Sequence, residues 1–126
     1  FDDGLYAGAR LLEIVSRWKD ANWPLKHLPD AISTPELNIK MNEGEPHALV
    51  AKLQKSGQFP TARELITIDG VRAEYADGFG LVRASNTTPV IVLRFEADNK
   101  KALARIQKEF KKSLQAAWPD IAADFI

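Results

Sequence analysis

Apolar and polar positions over the first eighteen residues follow a helical period. Leu5, Ala9, Leu12 and Val15, joined by Tyr6, Leu11, Ile14 and Trp18, form an apolar surface wider than one stripe, and Asp2 and Asp3 are placed to cap its start. A helix of that kind requires partners on more than one side. From Lys19 to Pro35 the period lapses into Asn22, Pro24, Pro29, Asp30, Ser33 and Pro35, the residues of turns and linkers, and a domain boundary is expected there. Leu37, Ile39 and Met41 then alternate with Asn38 and Lys40, the period of a half-buried strand. Glu45 to Ser56 reads as a short helix, with Pro46 near its start, Leu49 and Leu53 four apart and Gly57 just beyond. Strand-like runs follow at Glu64 to Asp69, continuing as Val71 to Tyr75 after a turn at Gly70, at Phe79 to Ala84, and at Val90 to Glu96. Asp98 or Asn99 opens a last helix with Leu103, Ile106, Phe110 and Leu114 on one face and Lys100, Lys101, Arg105, Lys108, Lys111 and Lys112 on the other. The order predicts an α+β layer in which two helices cover one face of a mainly antiparallel four-stranded sheet, preceded by the first helix.

Composition narrows the classes of function. At 126 residues the chain suffices for one compact domain and a short extra element. Seventeen Lys and Arg balance seventeen Asp and Glu, so no global field favours nucleic acid or an anionic membrane and any anion site must be local. Without Cys there is no disulfide framework or thiolate, and His27 and His47 are the only imidazoles, so zinc chemistry is not expected. No apolar run of about 18 residues and no basic-then-apolar start appear, which leaves a cytoplasmic origin as the expectation. The chain begins at Phe1, without an initiator Met, and reads as a trimmed fragment.

One segment carries chemistry. Arg83-Ala84-Ser85-Asn86-Thr87-Thr88-Pro89 joins two strand-like runs, where a stiff scaffold presents loop side chains. A phosphate dianion calls for a fixed positive charge and several short donors, and the Arg83 guanidinium, the Ser85 and Thr87 hydroxyls, the Asn86 amide and nearby backbone N–H groups are such a set. The same residues also describe an ordinary hairpin turn beside a solvated Arg83, the commoner fate of such a composition. Composition and spacing leave both readings open.

A longer pattern surrounds that loop. Asp69-Gly70-Val71-Arg72, then Gly78-Phe79-Gly80-Leu81-Val82-Arg83-Ala84-Ser85-Asn86-Thr87-Thr88-Pro89, then Val92-Leu93-Arg94-Phe95-Glu96-Ala97 resembles the fourth, C-terminal domain of the bacterial phosphomannomutase/phosphoglucomutase enzymes of the α-D-phosphohexomutase family. Ile32-Ser33-Thr34-Pro35-Glu36 is similar to the entrance of that domain, and Asp2-Asp3-Gly4-Leu5-Tyr6 through Leu11-Leu12-Glu13 to the last helix of the third. The resemblance therefore implies residues 1–20 as the closing helix of a preceding domain with the start of a linker, 21–31 as linker, and 32–126 as the C-terminal domain. It further implies that Arg83, Ser85, Asn86 and Thr87 grip the phosphate of a hexose phosphate as the domain closes over the cleft. Asn86 and Thr88 stand where the similar phosphoglucosamine mutases carry Gly and Glu, so the loop resembles that of the bifunctional mannose/glucose enzymes. Thr88 also leaves the loop without a negative charge beside an anion.

The parent that this family implies moves phosphate between C1 and C6 of a hexose, using a phosphoserine in its first domain, magnesium in its second and sugar contacts from its third. Ser16, Ser33, Ser56, Ser85 and Ser113 lack the Ser-His text of that catalytic loop, and no Asp-x-Asp-x-Asp run exists. The chain alone is thus expected to hold no catalytic residue, metal or cofactor, with magnesium belonging to the full-length parent. Its expected partners are a hexose phosphate and the other domains of the same enzyme, with no nucleic acid and no membrane. A different class, a free-standing module that binds protein or nucleic acid through its sheet or Lys-rich helix, is the alternative, although Asp98, Glu109, Asp120 and Asp124 dilute that helix. His27 and His47 read as structural, Arg72 and Arg94 as partners of Glu74 and Glu96 across strands, and Trp18, Trp23 and Trp118 as covers of hydrophobic seams.

Overall fold

The computed structural model describes residues 2–28 and 30–125; Phe1, at which the trimmed start was read, and Pro29 of the linker lie outside the described residues. The chain divides into two compact units, Phe1–Asp30 and Ala31–Ile126.

In the first unit, α1 runs Gly4–Ser16 because the Asp3 carboxylate accepts the Tyr6 N–H at 2.9 Å and so satisfies one of the free donors of the first turn. Arg10 and Arg17 both pair with Glu13 along its length. None of its residues is buried, and Leu5 and Leu12 are 89% and 71% exposed. The short α2, Trp23–Lys26, is held by a stack: Trp18 lies 3.8 Å from Trp23, and Trp23 lies 3.8 Å from His27. The Nδ1 atom of His27 is 2.7 Å from the Trp23 carbonyl oxygen, so this imidazole has a structural role. Within this unit Trp23 thus stacks between Trp18 and His27.

The second unit follows the order β1 (Ile32–Ser33), β2 (Leu37–Lys40), α3 (Glu45–Ser56), β3 (Glu64–Ile66), β4 (Val71–Tyr75), β5 (Gly78–Ala84), β6 (Val90–Ala97), α4 (Lys100–Ala117). All pairings are antiparallel, with β6, β5, β4 and β3 side by side and β1 and β2 taking turns along the other edge of β6. Between those two segments the Thr34 N–H donates to the Phe95 carbonyl at 2.9 Å, and the Thr34 hydroxyl accepts the Phe95 N–H at 3.2 Å. A side chain therefore continues the ladder where Pro35 interrupts the strand. The expected strand runs are present, but the sheet has six strands rather than four, because the chain turns at Gly70 and divides one run into β3 and β4, and Ile32–Ser33 is added at the edge. The run expected at Glu64 to Asp69 stops at Ile66, because Gly70 turns the chain at φ +83° and the Gln54 amide donates to the Thr67 and Gly70 carbonyls.

Strand alternation puts Val71, Ala73, Val82, Ala84, Ile91, Leu93 and Phe95 on the face covered by Leu49 and Leu53 of α3 and by Ile106, Phe110 and Leu114 of α4. The α+β architecture, with both helices on one sheet face, is as the sequence pattern implies. Phe110 is the keystone of that layer, 4.7 Å from the Phe59 ring and 5.2 Å from Phe95. Gly80 admits it: a Cβ at that position would stand 2.4 Å from the Phe110 ring. Neither α3 nor α4, the helices described in this unit, lies on the other sheet face, and the polar partners of the alternation, Arg72, Arg83, Arg94, Asn38 and Lys40, line it.

Candidate phosphate-binding site

Arg83 reaches the helix-free face because its neighbours Val82 and Ala84 are buried in the core and successive strand residues point to opposite sides. The chain then turns through Ser85–Pro89 with its backbone tied at both ends. The Ser85 N–H donates to the Val90 carbonyl at 2.9 Å, the Val90 N–H to the Thr88 carbonyl at 2.8 Å, and the Met41 N–H of the adjoining edge to the Pro89 carbonyl at 2.9 Å. Inside the turn the Ser85 hydroxyl accepts the Thr87 and Thr88 N–H groups, each at 3.3 Å, and lies 3.4 and 3.2 Å from the hydroxyls of the same residues. Such a turn is built by its own Ser, and it also gathers three hydroxyls on a fixed frame.

On the helix-free side of this loop Arg83, Ser85, Thr87 and Thr88 line a recess of about 700 Å³ together with Asn38 and Lys40. Asn86 is not among them. It lines a smaller adjoining hollow of about 140 Å³, shared with Gly44 and His47 at the entrance to α3 and with Ser85 and Thr87 themselves. Three of the four residues singled out in the sequence thus line one recess, and Asn86 shares the adjoining hollow with two of them.

One neighbour of Arg83 escaped the sequence reading. Asp69 Oδ2 stands 4.0 Å from Arg83 Nη1, a loose pair between exposed groups. It gets there because the turn before β4 is pressed against β5: a Cβ on Gly70 would lie 2.2 Å from the Val82 carbonyl oxygen and 2.8 Å from the Arg83 Cα. The Asp69-Gly70 dipeptide was visible in the sequence, but its contact with Arg83 follows from the pairing of Val71 with Val82.

Of the other residues weighed, Arg72 pairs with Glu74 at 2.5 Å along its own strand rather than across strands, and its guanidinium lies 3.7 Å over the Phe79 ring. Arg94 is exposed on the same sheet face. Trp118 packs against the core, with Lys52 over its ring at 4.7 Å. Shifts in acidity occur at the opposite end of β5. There Arg105 grips Asp77 through two hydrogen bonds, which holds that carboxyl below its usual range. Tyr75 donates to Glu109 at 3.1 Å, and burial, reinforced by the Glu109 charge, pushes its phenol up. These groups brace α4 against β4 and the turn after it. Among the described residues no three His, Asp or Glu side chains gather into a metal site.

Fold and loop together form an α+β layer that presents one Arg, short hydroxyl donors and backbone N–H groups at one end of its sheet. The chain belongs to the phosphoglucomutase/phosphomannomutase C-terminal domain family, whose model matches residues 36–113. A phosphoglucomutase of Neisseria meningitidis serogroup B is 54% identical over an alignment of 124 residues that covers 94% of this chain and 27% of that protein. A phosphomannomutase/phosphoglucomutase of Pseudomonas aeruginosa is 46% identical over 126 residues, 99% of this chain and 27% of that one. The crystal structure of a phosphoglucomutase/phosphomannomutase family protein from Burkholderia thailandensis superposes with a TM-score of 0.87 at 55% identity, over 96% of this chain and 25% of the other. The chain therefore spans about a quarter of the length of the relatives it matches. No helix among the described residues is long and apolar enough to cross a membrane.

Proposed function

We propose that this chain is the C-terminal part of a cytoplasmic phosphohexomutase and that its β5–β6 loop holds the phosphate of a hexose phosphate while the domain closes the active-site cleft. The observation that carries this reading is the convergence of Arg83 with the Ser85 and Thr87 hydroxyls in one recess on a hairpin fixed at both ends. The names of the relatives, phosphoglucomutase and phosphomannomutase, support the substrate class. The parent reaction is an intramolecular transfer between C1 and C6, and this part contributes position and charge: Arg83 offsets the phosphate charge, and a rigid loop orients the sugar without reorganising. The described residues do not suit magnesium, so the metal of the parent is assigned to its other domains and no step here involves it. Residues 1–20 are proposed as the closing helix of the preceding domain with the start of the linker, 21–31 as linker and 32–126 as the C-terminal domain. The separate compactness of the first unit and the unburied apolar positions of α1 support that division.

Titrating the ¹⁵N-labelled chain with glucose 1-phosphate or mannose 1-phosphate tests this. Affinity on the millimolar scale, about 4 kcal/mol, is expected of a loop without the other domains to exclude water. Amide shifts should centre on residues 83–88 and disappear in Arg83→Ala. Shifts confined to the Lys-rich face of α4 would refute the site and return the interaction-module reading.

A further inference from the structure

The recess beside Arg83 contains a second cation. Lys40 ends β2 on the helix-free face, exposed where its neighbour Ile39 is buried. In the ladder Asn38 lies opposite Val92 and Lys40 opposite Val90, while Val92 also lies opposite Arg83. Lys40 and Arg83 therefore flank β6 from its two sides, two strands apart across the sheet and two residues apart along it. With strands spaced by ~4.8 Å and a rise of ~3.4 Å per residue, their Cα atoms stand about 12 Å apart. Two long side chains can close that gap around a phosphate, and both already line the recess that holds the Ser85 and Thr87 hydroxyls. Among the described residues Lys40 makes no ion pair, whereas Arg83 has the loosely held Asp69. One carboxylate, Glu36, lines the recess with them, and it accepts the Asn38 amide at 3.4 Å. The lining carries a net single positive charge.

We propose that Lys40 is a second cationic ligand of the phosphate held by the Arg83 loop, which makes the recess a two-cation site that prefers a dianionic phosphate monoester to a monoanionic diester. This inference rests on the reading of the loop as a phosphate site. A Lys on an edge strand also discourages pairing with a further strand, but that role involves neither Arg83 nor an anion, so ligand charge separates the two.

The test is a titration of the whole chain with glucose 1-phosphate as the dianion and dimethyl phosphate as the monoanion, read at the amides of residues 83–90. Lys40→Gln should weaken glucose 1-phosphate by about threefold to tenfold and dimethyl phosphate by less than about twofold, the range of one solvent-accessible charge pair with hydrogen-bonding geometry. Lys40→Arg should restore most of the loss. Lys112→Gln, an equal change of charge on α4, should leave both affinities unchanged. Amides of β4 and β5 that keep their positions in the Lys40→Gln spectrum show that it folds. If the wild-type loop responds to glucose 1-phosphate and Lys40→Gln binds it equally well, the Lys40 assignment is overturned and the Arg83 site stands. If the wild-type loop does not respond at all, both fall.

Discussion

Gly70 offers the sharpest test of how the backbone seats Arg83. It holds φ +83°, and a Cβ there would meet the Val82 carbonyl oxygen at 2.2 Å and the Arg83 Cα at 2.8 Å, both parts of a strand in the middle of the sheet. Gly44, before α3, holds φ +80° with nothing near its missing Cβ. Substituting Ala at either position costs the left-handed backbone term, about 1–2 kcal/mol. Only Gly70→Ala adds the collision with β5, which a strand paired on both sides relieves by shifting, at about 1–3 kcal/mol more. The expected loss is therefore about 2–5 kcal/mol for Gly70→Ala and about 1–2 kcal/mol for Gly44→Ala. Urea unfolding followed at the amides of β4, β5 and β6 measures both on the same probes. Equal losses in the two variants would refute the reasoning, since the contact with β5 would then contribute nothing beyond the dihedral angle.

Two further outcomes follow from the brace and from α1. The Tyr75 phenol is pushed up in the folded state, so its contribution to stability is complete below the unfolded value of about 10 and is lost as pH rises beyond it; Tyr75→Phe should flatten the fall in the urea midpoint above about pH 10, and an unchanged slope would show that Tyr75 does not set it. Deleting residues 1–18 should leave the unfolding free energy of the sheet unchanged within about 0.5 kcal/mol, because no residue of α1 is buried, and should lower any self-association seen by sedimentation. Hydrogen exchange in the intact chain should show α1 opening far more readily than β6, and equal protection of the two in a dilute monomer would refute a boundary near residue 20.

How much of this was legible without coordinates depends on the distance over which each feature is decided. Elements were, because their signals are local: Val71, Ala73 and Tyr75 alternate with Arg72 and Glu74, and Ile106, Phe110 and Leu114 keep a helical period. Asn99 rather than Asp98 proves to be the cap of α4, accepting the Ala102 N–H at 2.9 Å, a choice between adjacent residues that pattern leaves open. The strand at Ile32–Ser33 was missed because two residues carry no period, and its continuation depends on a Thr34 hydroxyl bonding to a strand some sixty positions later.

The site divides along the same line. Arg83, Ser85 and Thr87 are neighbours in sequence, so the text Arg-Ala-Ser-Asn-Thr-Thr-Pro was enough to raise a phosphate loop beside an ordinary turn. Lys40 and Asp69 come to Arg83 through strand order, one by way of β2 pairing with β6 and the other through β4 pairing with β5. In the chain Lys40 is only the polar beat of an alternating strand, and nothing near it indicates that β6 will lie between it and an arginine more than forty positions away. Pairing between distant strands is specified by burial of their opposite faces: Ile39, Ile91 and Val82 must all turn toward the helices, and that requirement fixes the register. The cations on the other face are brought together by the packing of the core beneath them. A substitution that slipped β2 by one residue along β6 would therefore exchange Ile39 with Lys40 and dismantle one side of the recess without touching the loop.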